Sequence, residues 1–232
     1  RAAPLGCAPF WLGVDMTLEE LIALYRAQSL DAEAPYFCSD ELLTVYANEA
    51  QDEACRRGQF LRDASSSLCT VAYAPGDESI ALDPRIVRVL RASADSFPVE
   101  VLGAQQMADM MPAWQTGSAE RPRILVSGLT QDRLYLWPKP TSAGQIKLHV
   151  LRFPLAKMAN DSDTPEIRQE MHPALVEWML YRAYSRTDAD TQDDAKAKTA
   201  LRKFITEFGD KHGGRNEQWI RDGGSLMPGP IA

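Results

Sequence analysis

The sequence predicts an α+β protein with N- and C-terminal helices packed as a bundle, an inserted antiparallel β meander and extended terminal arms. Residues 17–62 and 164–212 carry apolar side chains at three- and four-residue spacing, the period of an amphipathic helix. Residues 68–153 carry short apolar runs separated by Gly, Pro and Asp, the pattern of strands and turns. Since helices precede and follow the strands, the two helical segments are expected to pack together.

The length allows one large domain or two small ones, and the order of helices, strands and helices favours one. The chain has 232 residues, of which 45% are hydrophobic, so it can bury a core of ordinary size. We predict one domain over 1–232 with a helical lobe and a β-rich lobe, an N-terminal arm at 1–15 and a C-terminal tail at 213–232. No apolar run approaches the roughly 20 residues that a membrane helix needs, so no membrane partner is expected.

A capping box marks the first helix. Thr17 and Glu20 are three residues apart, so each side chain can bind the backbone N–H of the other. The helix is expected to run to about Arg26. Its predicted buried face is Leu18, Leu21, Ile22 and Tyr25.

A second helix follows a loop. Ser39 is a good N-cap, and Asp40 and Glu41 suit the positive end of the helix dipole. The helix is expected to end between 58 and 62. Its predicted buried side is Leu42, Leu43, Tyr46, Ala50 and Ala54.

The middle of the chain predicts strands. Residues 145–150 alternate apolar and polar side chains most clearly, which indicates a strand with one dry and one wet face. A short helix at about Gln105–Met111 interrupts the series. The other predicted strands lie near 69–73, 79–82, 86–92, 99–102, 123–126 and 133–137.

The C-terminal helical block begins with strong signals. Thr164 suits the N-cap and Pro165 suits the first helical position. Pro173 must interrupt the pattern, either as a kink or as the boundary of a second helix that starts near His172. The predicted apolar stripe is Ile167, Met171, Leu175, Met179 and Ala183, and after a polar turn it continues with Ala195, Leu201, Phe204, Ile205 and Phe208.

No motif predicts a catalytic site, a metal or a cofactor. The four cysteines have no close pairing, which favours buried free thiols in a reducing compartment. The pairs Asp161–Asp163 and Asp188–Asp190 lack the Gly and Glu of a calcium loop, so helix capping is the expected role.

One alternative function stays open. A small α+β enzyme or ligand-binding domain could assemble a site from scattered residues. The candidates are His149, His172, Asp161 and Glu177. For His172, which precedes a proline on a helical turn, a structural role is favoured over general-base catalysis.

The two ends carry large apolar residues without a helical or strand period. Phe10, Trp11 and Leu12 lie in the N-terminal arm, and Trp219 and Ile220 lie in the glycine-rich tail. Such residues are expected to contact a partner protein.

Several segments carry a family resemblance. The helix that contains Asp40-Glu-Leu-Leu and Asn48-Glu-Ala resembles the corresponding helix of tailed-bacteriophage head-to-tail adaptor (connector) proteins. The order of later signals is also similar: Leu134-Tyr-Leu-Trp-Pro-Lys-Pro, an alternating strand into Leu151-Arg-Phe-Pro-Leu, and Trp178-Met-Leu-Tyr-Arg-Ala-Tyr. The resemblance covers about 18–209.

The resemblance implies a structural protein of the virion neck. It implies a dodecameric ring, assembled in the host cytoplasm, that binds the portal protein on one side and a tail or nozzle protein on the other. The genome would pass through without specific binding. A net charge of −7 agrees with a wall that repels DNA, because strong binding requires clustered Lys and Arg.

Overall fold

The computed structural model describes residues 15–186 and 192–214. These residues form a mixed α+β structure. Its helices are α1 (Leu18–Ser29), α2 (Asp40–Gly58), α3 (Ala104–Met110), α4 (His172–Tyr184) and α5 (Asp194–Phe208). Its strands are β1 (Arg62–Asp63), β2 (Thr70–Tyr73), β3 (Ser79–Ala81), β4 (Ile86–Ala94), β5 (Phe97–Gly103), β6 (Ser118–Ala119), β7 (Ile124–Ser127), β8 (Arg133–Trp137), β9 (Lys139–Pro140) and β10 (Gly144–Arg152).

The chain divides into two compact units. The first unit takes its described residues from 1–54 and 156–209, and the second takes them from 55–155 and from 210 onward. The expected arrangement as one domain of two lobes stays a prediction. The predicted N-terminal arm, apart from residue 15, and most of the predicted C-terminal tail lie outside the described residues.

In the first unit, α1 packs against α4 and begins as its sequence predicts. The Thr17 hydroxyl accepts the Glu20 N–H at 3.2 Å, and the Glu20 carboxylate accepts the Thr17 N–H at 2.9 Å. The capping box is therefore confirmed. The helix runs to Ser29, slightly beyond the predicted end, and buries its four predicted residues.

Helix α2 also follows its local signals. The Ser39 hydroxyl accepts the Leu42 N–H at 3.3 Å, and the helix ends at Gly58, within the predicted interval. Four of the five predicted residues are buried and Leu42 is half-buried. On the same helix, the Asn48 amide exchanges two hydrogen bonds with the backbone of Met158, at 2.8 and 2.9 Å, which fixes the segment that leads to α4.

The predicted helix start at Thr164 is wrong. The Gln51 side chain accepts the Glu166 N–H at 2.6 Å, so this stretch is held as a loop by a contact distant in sequence. Helix α4 begins at His172 with Pro173 in its first turn, where a missing N–H costs nothing. The alternative of a boundary near His172 is therefore confirmed.

Helix α5 packs against α4, with a buried face that differs from the prediction. Ala195 is exposed, whereas Leu201 and Ile205 are half-buried. The buried residues are Ala197, Ala200, Phe204 and Phe208. The two phenylalanines continue an aromatic cluster with Trp178 of α4, with ring centroids about 5 Å apart. Small alanines thus bring the helices close, and the aromatic rings fill the space beyond them.

In the second unit, β10 pairs with three other strands of the main sheet: β1, β2 and β4. The strand order is β1-β10-β4-β5-β7-β8-β3, and β2 pairs with β10 on the same edge as β1. The sheet curls so that β3 lies near β2. Its inner face forms the core of this unit with Ile80, Ala92, Leu125, Leu134, Leu136, Ile146, Leu148 and Val150.

The sheet is not a purely antiparallel meander. Strands β5 and β7 pair in parallel. The cause is α3, which lies between them in the chain, contacts both strands and returns the chain to the same end of the sheet. Met107 of α3, Trp114 and Val126 form a small core over this crossover. The prediction of a short helix was right, but it connects parallel strands.

Candidate interaction surfaces

The loop between α1 and α2 is fixed by a buried ion pair. The Asp31 carboxylate accepts hydrogen bonds from the Arg26 guanidinium at 3.2 Å and from the Phe37 N–H at 3.1 Å. The same guanidinium reaches the Cys38 carbonyl at 3.2 Å and the Asp40 carboxylate at 2.6 Å. A buried carboxylate needs such partners, so the loop has a defined backbone.

This fixed loop presents apolar side chains to solvent. Leu30 is 88% exposed, Phe37 is 58% exposed, and the Tyr36 ring stacks under the Arg26 guanidinium at 3.6 Å. Leu30 also has a φ of 61°, at the helix C-terminal position that usually favours glycine. We call Leu30, Tyr36 and Phe37 the apolar loop. Rigid, exposed apolar side chains are typical of an interaction surface.

A groove of about 570 Å³ lies beside the apolar loop, between the end of α1 and helices α4 and α5. Its walls include Leu30, Leu180 and Tyr184. Its rim carries Lys196, which pairs with the N-cap carboxylate of α5 at 3.5 Å, and Lys203, which pairs with a carboxylate of α4 at 3.0 Å. We call it the three-helix groove.

The second unit has an exposed apolar surface at the end of α3. Met110 is 64% exposed and Met111 is 36% exposed, whereas Met107 and Trp114 on either side are buried. The Met111 N–H donates to the Met107 carbonyl, and the Trp114 N–H donates to the Met111 carbonyl. We call Met110 and Met111 the methionine knob. Its base is fixed on both sides.

The candidates for an enzyme site have other environments. His172 is fully buried, and its ring accepts the Met16 N–H at 3.1 Å and bonds the Ile167 carbonyl at 2.9 Å. Its predicted structural role is thus supported. His149 is exposed on β10 in the other unit.

The two acidic candidates are likewise explained by local structure. Glu177 forms the ion pair with Lys203 across α4 and α5. Asp161 has an exposed side chain, and its carbonyl accepts the Glu19 N–H at 3.1 Å. No observation therefore favours a catalytic assembly of the four candidates.

The expected helix-capping role of the acidic pairs is wrong for the side chain of Asp163, although its backbone carbonyl accepts the Leu18 N–H at the start of α1 at 2.8 Å. Its carboxylate accepts the N–H groups of Ala159 and Asn160 at 2.7 and 2.8 Å, which closes a turn within a loop and lowers its pKa. The pair Asp188–Asp190 lies outside the described residues. Within 15–186 and 192–214, no group of three His, Cys, Asp or Glu could hold a metal ion.

The cysteines behave as small buried residues. Cys38, Cys55 and Cys69 are buried and form no disulfide. Cys7 lies outside the described residues. No helix in the described part of the chain has the length and apolar character to cross a membrane.

Comparison with known proteins identifies the family. A family model described as SU10 adaptor protein matches residues 16–226. The chain belongs to the SU10 adaptor protein family. The match confirms the resemblance to phage head-to-tail adaptors and supports a structural role in a virion. No curated protein matches the chain.

The interface residues predicted from the sequence remain a prediction, because the described part of the chain does not include them. The predicted partner residues Phe10, Trp11, Leu12, Trp219 and Ile220 all lie outside the described residues. The apolar loop and the methionine knob were missed. Two sequence signals could have indicated these surfaces: an apolar residue at a helix C-terminus, where glycine is common, and two consecutive methionines before a proline.

Proposed function

We infer that the chain forms a dodecameric ring that joins the portal protein to a tail or nozzle protein and lets the genome pass through its centre. The observation that carries this proposal is the family match over residues 16–226. The ring would be part of the virion neck and would assemble in the host cytoplasm.

The exposed apolar surfaces support this function. A ring component between two other rings needs two complementary regions for the neighbouring copies on either side, one region for the portal and one for the tail. The apolar loop and the methionine knob are exposed surfaces in different units. Fixed backbones beneath both surfaces reduce the entropy lost on binding.

The terminal segments provide further contact residues in this proposal. Phe10, Trp11 and Leu12 in the arm and Trp219 and Ile220 in the tail are assigned to contacts with the portal or with neighbouring copies. Each large apolar side chain contributes roughly 1.5–3 kcal/mol when it is fully buried. A few such contacts per copy, repeated around a ring, suffice for stable attachment.

The charge supports a conduit instead of a DNA-binding surface. The chain has 32 acidic and 25 basic residues, which gives the net charge of −7. Ring assembly multiplies this charge around one axis. A negative wall repels phosphates, so the genome can slide without being held.

Electron microscopy of the purified chain mixed with its portal protein tests the proposal. We expect an added ring of density on the portal, in register with its symmetry axis. The chain without portal should show no saturable turnover. Absence of attachment, together with ligand binding or turnover by the free chain, would instead support the enzyme alternative.

A further inference from the structure

Two surfaces of the structure differ in composition and in charge. The three-helix groove is a concave surface lined by apolar and polar residues, among them Lys196 and Lys203. The methionine knob exposes two apolar side chains, with the exposed Asp109 beside them in the chain. We propose that the methionine knob of one copy docks into the three-helix groove of the next copy. This inference rests on the proposed ring, for which it supplies the contact between neighbouring copies.

The knob is suited to insertion. Its backbone is fixed because Met107 and Trp114 are buried on either side and both hydrogen-bond to the backbone of Met111. The side chains of Met110 and Met111 remain adaptable, since methionine is unbranched and fills irregular spaces. Docking therefore orders two side chains and no loop, which keeps the entropic cost small.

The groove offers Leu30, Leu180 and Tyr184 as apolar contacts, set among polar and charged residues of α1, α4 and α5. Its volume of about 570 Å³ lies within the range of sites that bind small ligands, roughly 300–1,000 Å³. Leu30 stands at its edge almost fully exposed, on a loop fixed by the buried Asp31. An inserted knob would remove Leu30 from water and would contact Leu180 and Tyr184 on the opposite side.

The charges around the two surfaces are complementary. The side chains of Lys196 and Lys203 are 64% and 61% exposed, whereas the carboxylates that pair with them are 36% and 16% exposed, so the rim presents positive charge outward. On the knob, the Asp109 carboxylate accepts a hydrogen bond from the Gln105 amide at 2.8 Å, which leaves its negative charge in place. Docking brings this carboxylate to the basic rim.

The symmetry of the contact supports a ring. Knob and groove are different surfaces of one chain, so their contact is heterologous, and a heterologous contact closes into a ring when its rotation allows. A second copy is therefore favoured as the occupant of the groove. The two other occupants to be tested are the C-terminal tail around Trp219 and a surface of the portal protein.

Cross-linking between copies tests the contact directly. Met110→Cys and Thr199→Cys place one thiol on the knob and one on an exposed groove residue. Both cysteines are introduced into the Cys7→Ser variant. The other native cysteines, Cys38, Cys55 and Cys69, are buried, so they should not take part in cross-linking. Mild oxidation of the ring assembled on the portal should form disulfides between neighbouring copies and give a ladder of covalently linked multimers.

The matched control uses another exposed apolar residue of the second unit. Phe97 is half exposed at the end of the β4–β5 turn. Phe97→Cys combined with Thr199→Cys should give no ladder under the same oxidation. Ladders of equal yield in this control would show that the cross-links report random collision.

Charge reversal supplies an independent test. Asp109→Lys alone and Lys196→Glu alone should each weaken association between copies by about tenfold or more, and the double variant should regain most of the loss. Lys196→Glu lies in the first turn of α5, where a carboxylate suits the helix dipole, so the helix should remain folded. Circular dichroism of each variant checks this.

Each result separates the inference from the proposed function. If the ring forms on the portal but no knob-to-groove cross-links appear, the inference is overturned and the proposed function stands. The same holds if the groove cysteine cross-links instead to the portal or to Ile220→Cys in the tail. A wild-type chain that forms no ring overturns both. Ladders together with rescue by the double variant support the contact between copies.

Discussion

Asp63 is a buried carboxylate at the junction of β1 and β10. It accepts hydrogen bonds from the backbone and hydroxyl groups of Ser65 and Ser66 and from the Arg152 guanidinium at 2.6 Å. Burial raises the pKa of Asp63, but the hydrogen bonds from Ser66, Ser65 and Arg152 outweigh burial and hold the pKa well below its usual value. The ionised form therefore stabilises the folded chain.

Replacing Asp63 should destabilise the second unit. Asp63→Ala leaves the Arg152 guanidinium buried without this carboxylate, so the free energy of unfolding should fall by about 3–5 kcal/mol. Urea denaturation measures the loss. Asp161→Ala, at an exposed carboxylate, is the control and should change stability by less than about 0.5 kcal/mol.

The Asp63 contribution should depend on pH with a defined sign. A carboxylate with a lowered folded pKa contributes stability above its unfolded pKa of about 3.9, and this contribution is lost as pH falls towards the folded pKa. The difference between wild type and Asp63→Ala should be constant near neutral pH and shrink below about pH 4. A difference that stays constant down to pH 2 would contradict this account.

His172 and His149 form a matched pair for a second prediction. His172→Gln should lower the free energy of unfolding by about 1–3 kcal/mol, because the buried contacts to Met16 and Ile167 lose their geometry. His149→Gln, at an exposed position, should change it by less than about 0.5 kcal/mol. Both variants should still assemble at moderate temperature. Loss of assembly by a variant that folds normally would show a direct role for that histidine.

At the scale of elements, the capping box of α1 gives a third prediction. Thr17→Ala combined with Glu20→Ala removes both reciprocal hydrogen bonds and should cost about 1 kcal/mol or somewhat more. Thermal unfolding measures the effect. Glu19→Ala, in the same turn but outside the box, is the control. If α1 contacts a neighbouring copy, the ring should also dissociate more readily, and unchanged unfolding of chain and ring would contradict the prediction.

Elements set by local signals could be predicted from the sequence, and elements set by distant contacts could not. The Thr17 and Ser39 caps lie within three residues of the N–H groups they bind, so local spacing was sufficient. Thr164 offered an equally good local signal, but Gln51, more than a hundred residues away, binds the Glu166 N–H and keeps that stretch out of α4. The parallel β5–β7 pair depends on how α3 packs over the sheet, which periodicity does not encode.

The exposure of the candidate surfaces could not be predicted from local periodicity either. Exposure of Leu30 depends on the Arg26–Asp31 pair that fixes its loop, and no periodic pattern predicts that pair. Exposure of Met110 depends on the burial of Met107 and Trp114 around it. By contrast, the sequence did indicate a structural role for His172, because it precedes a proline on a helical turn and a buried polar group is normally hydrogen-bonded. Its partner Met16, which is distant in sequence, could not be predicted.

At the scale of the whole molecule, the C-terminal tail gives a fourth prediction. Deleting everything after Gly213 should leave the helical signal and melting temperature of the monomer nearly unchanged but abolish stable attachment to the assembly, because a segment that contacts only a partner adds affinity without adding stability to its own chain. Circular dichroism and co-sedimentation with the portal measure the two effects. Earlier melting would place the tail in the chain's own core, and normal assembly would remove its role in attachment.

The mass of the complex is the most direct test of the proposed adaptor ring. Light scattering coupled to size exclusion gives the mass of the chain alone, of the portal alone and of their mixture. We expect the chain to be monomeric or weakly associated by itself, and twelve copies to add their mass to each portal. A mixture whose components elute separately with unchanged masses would contradict this expectation.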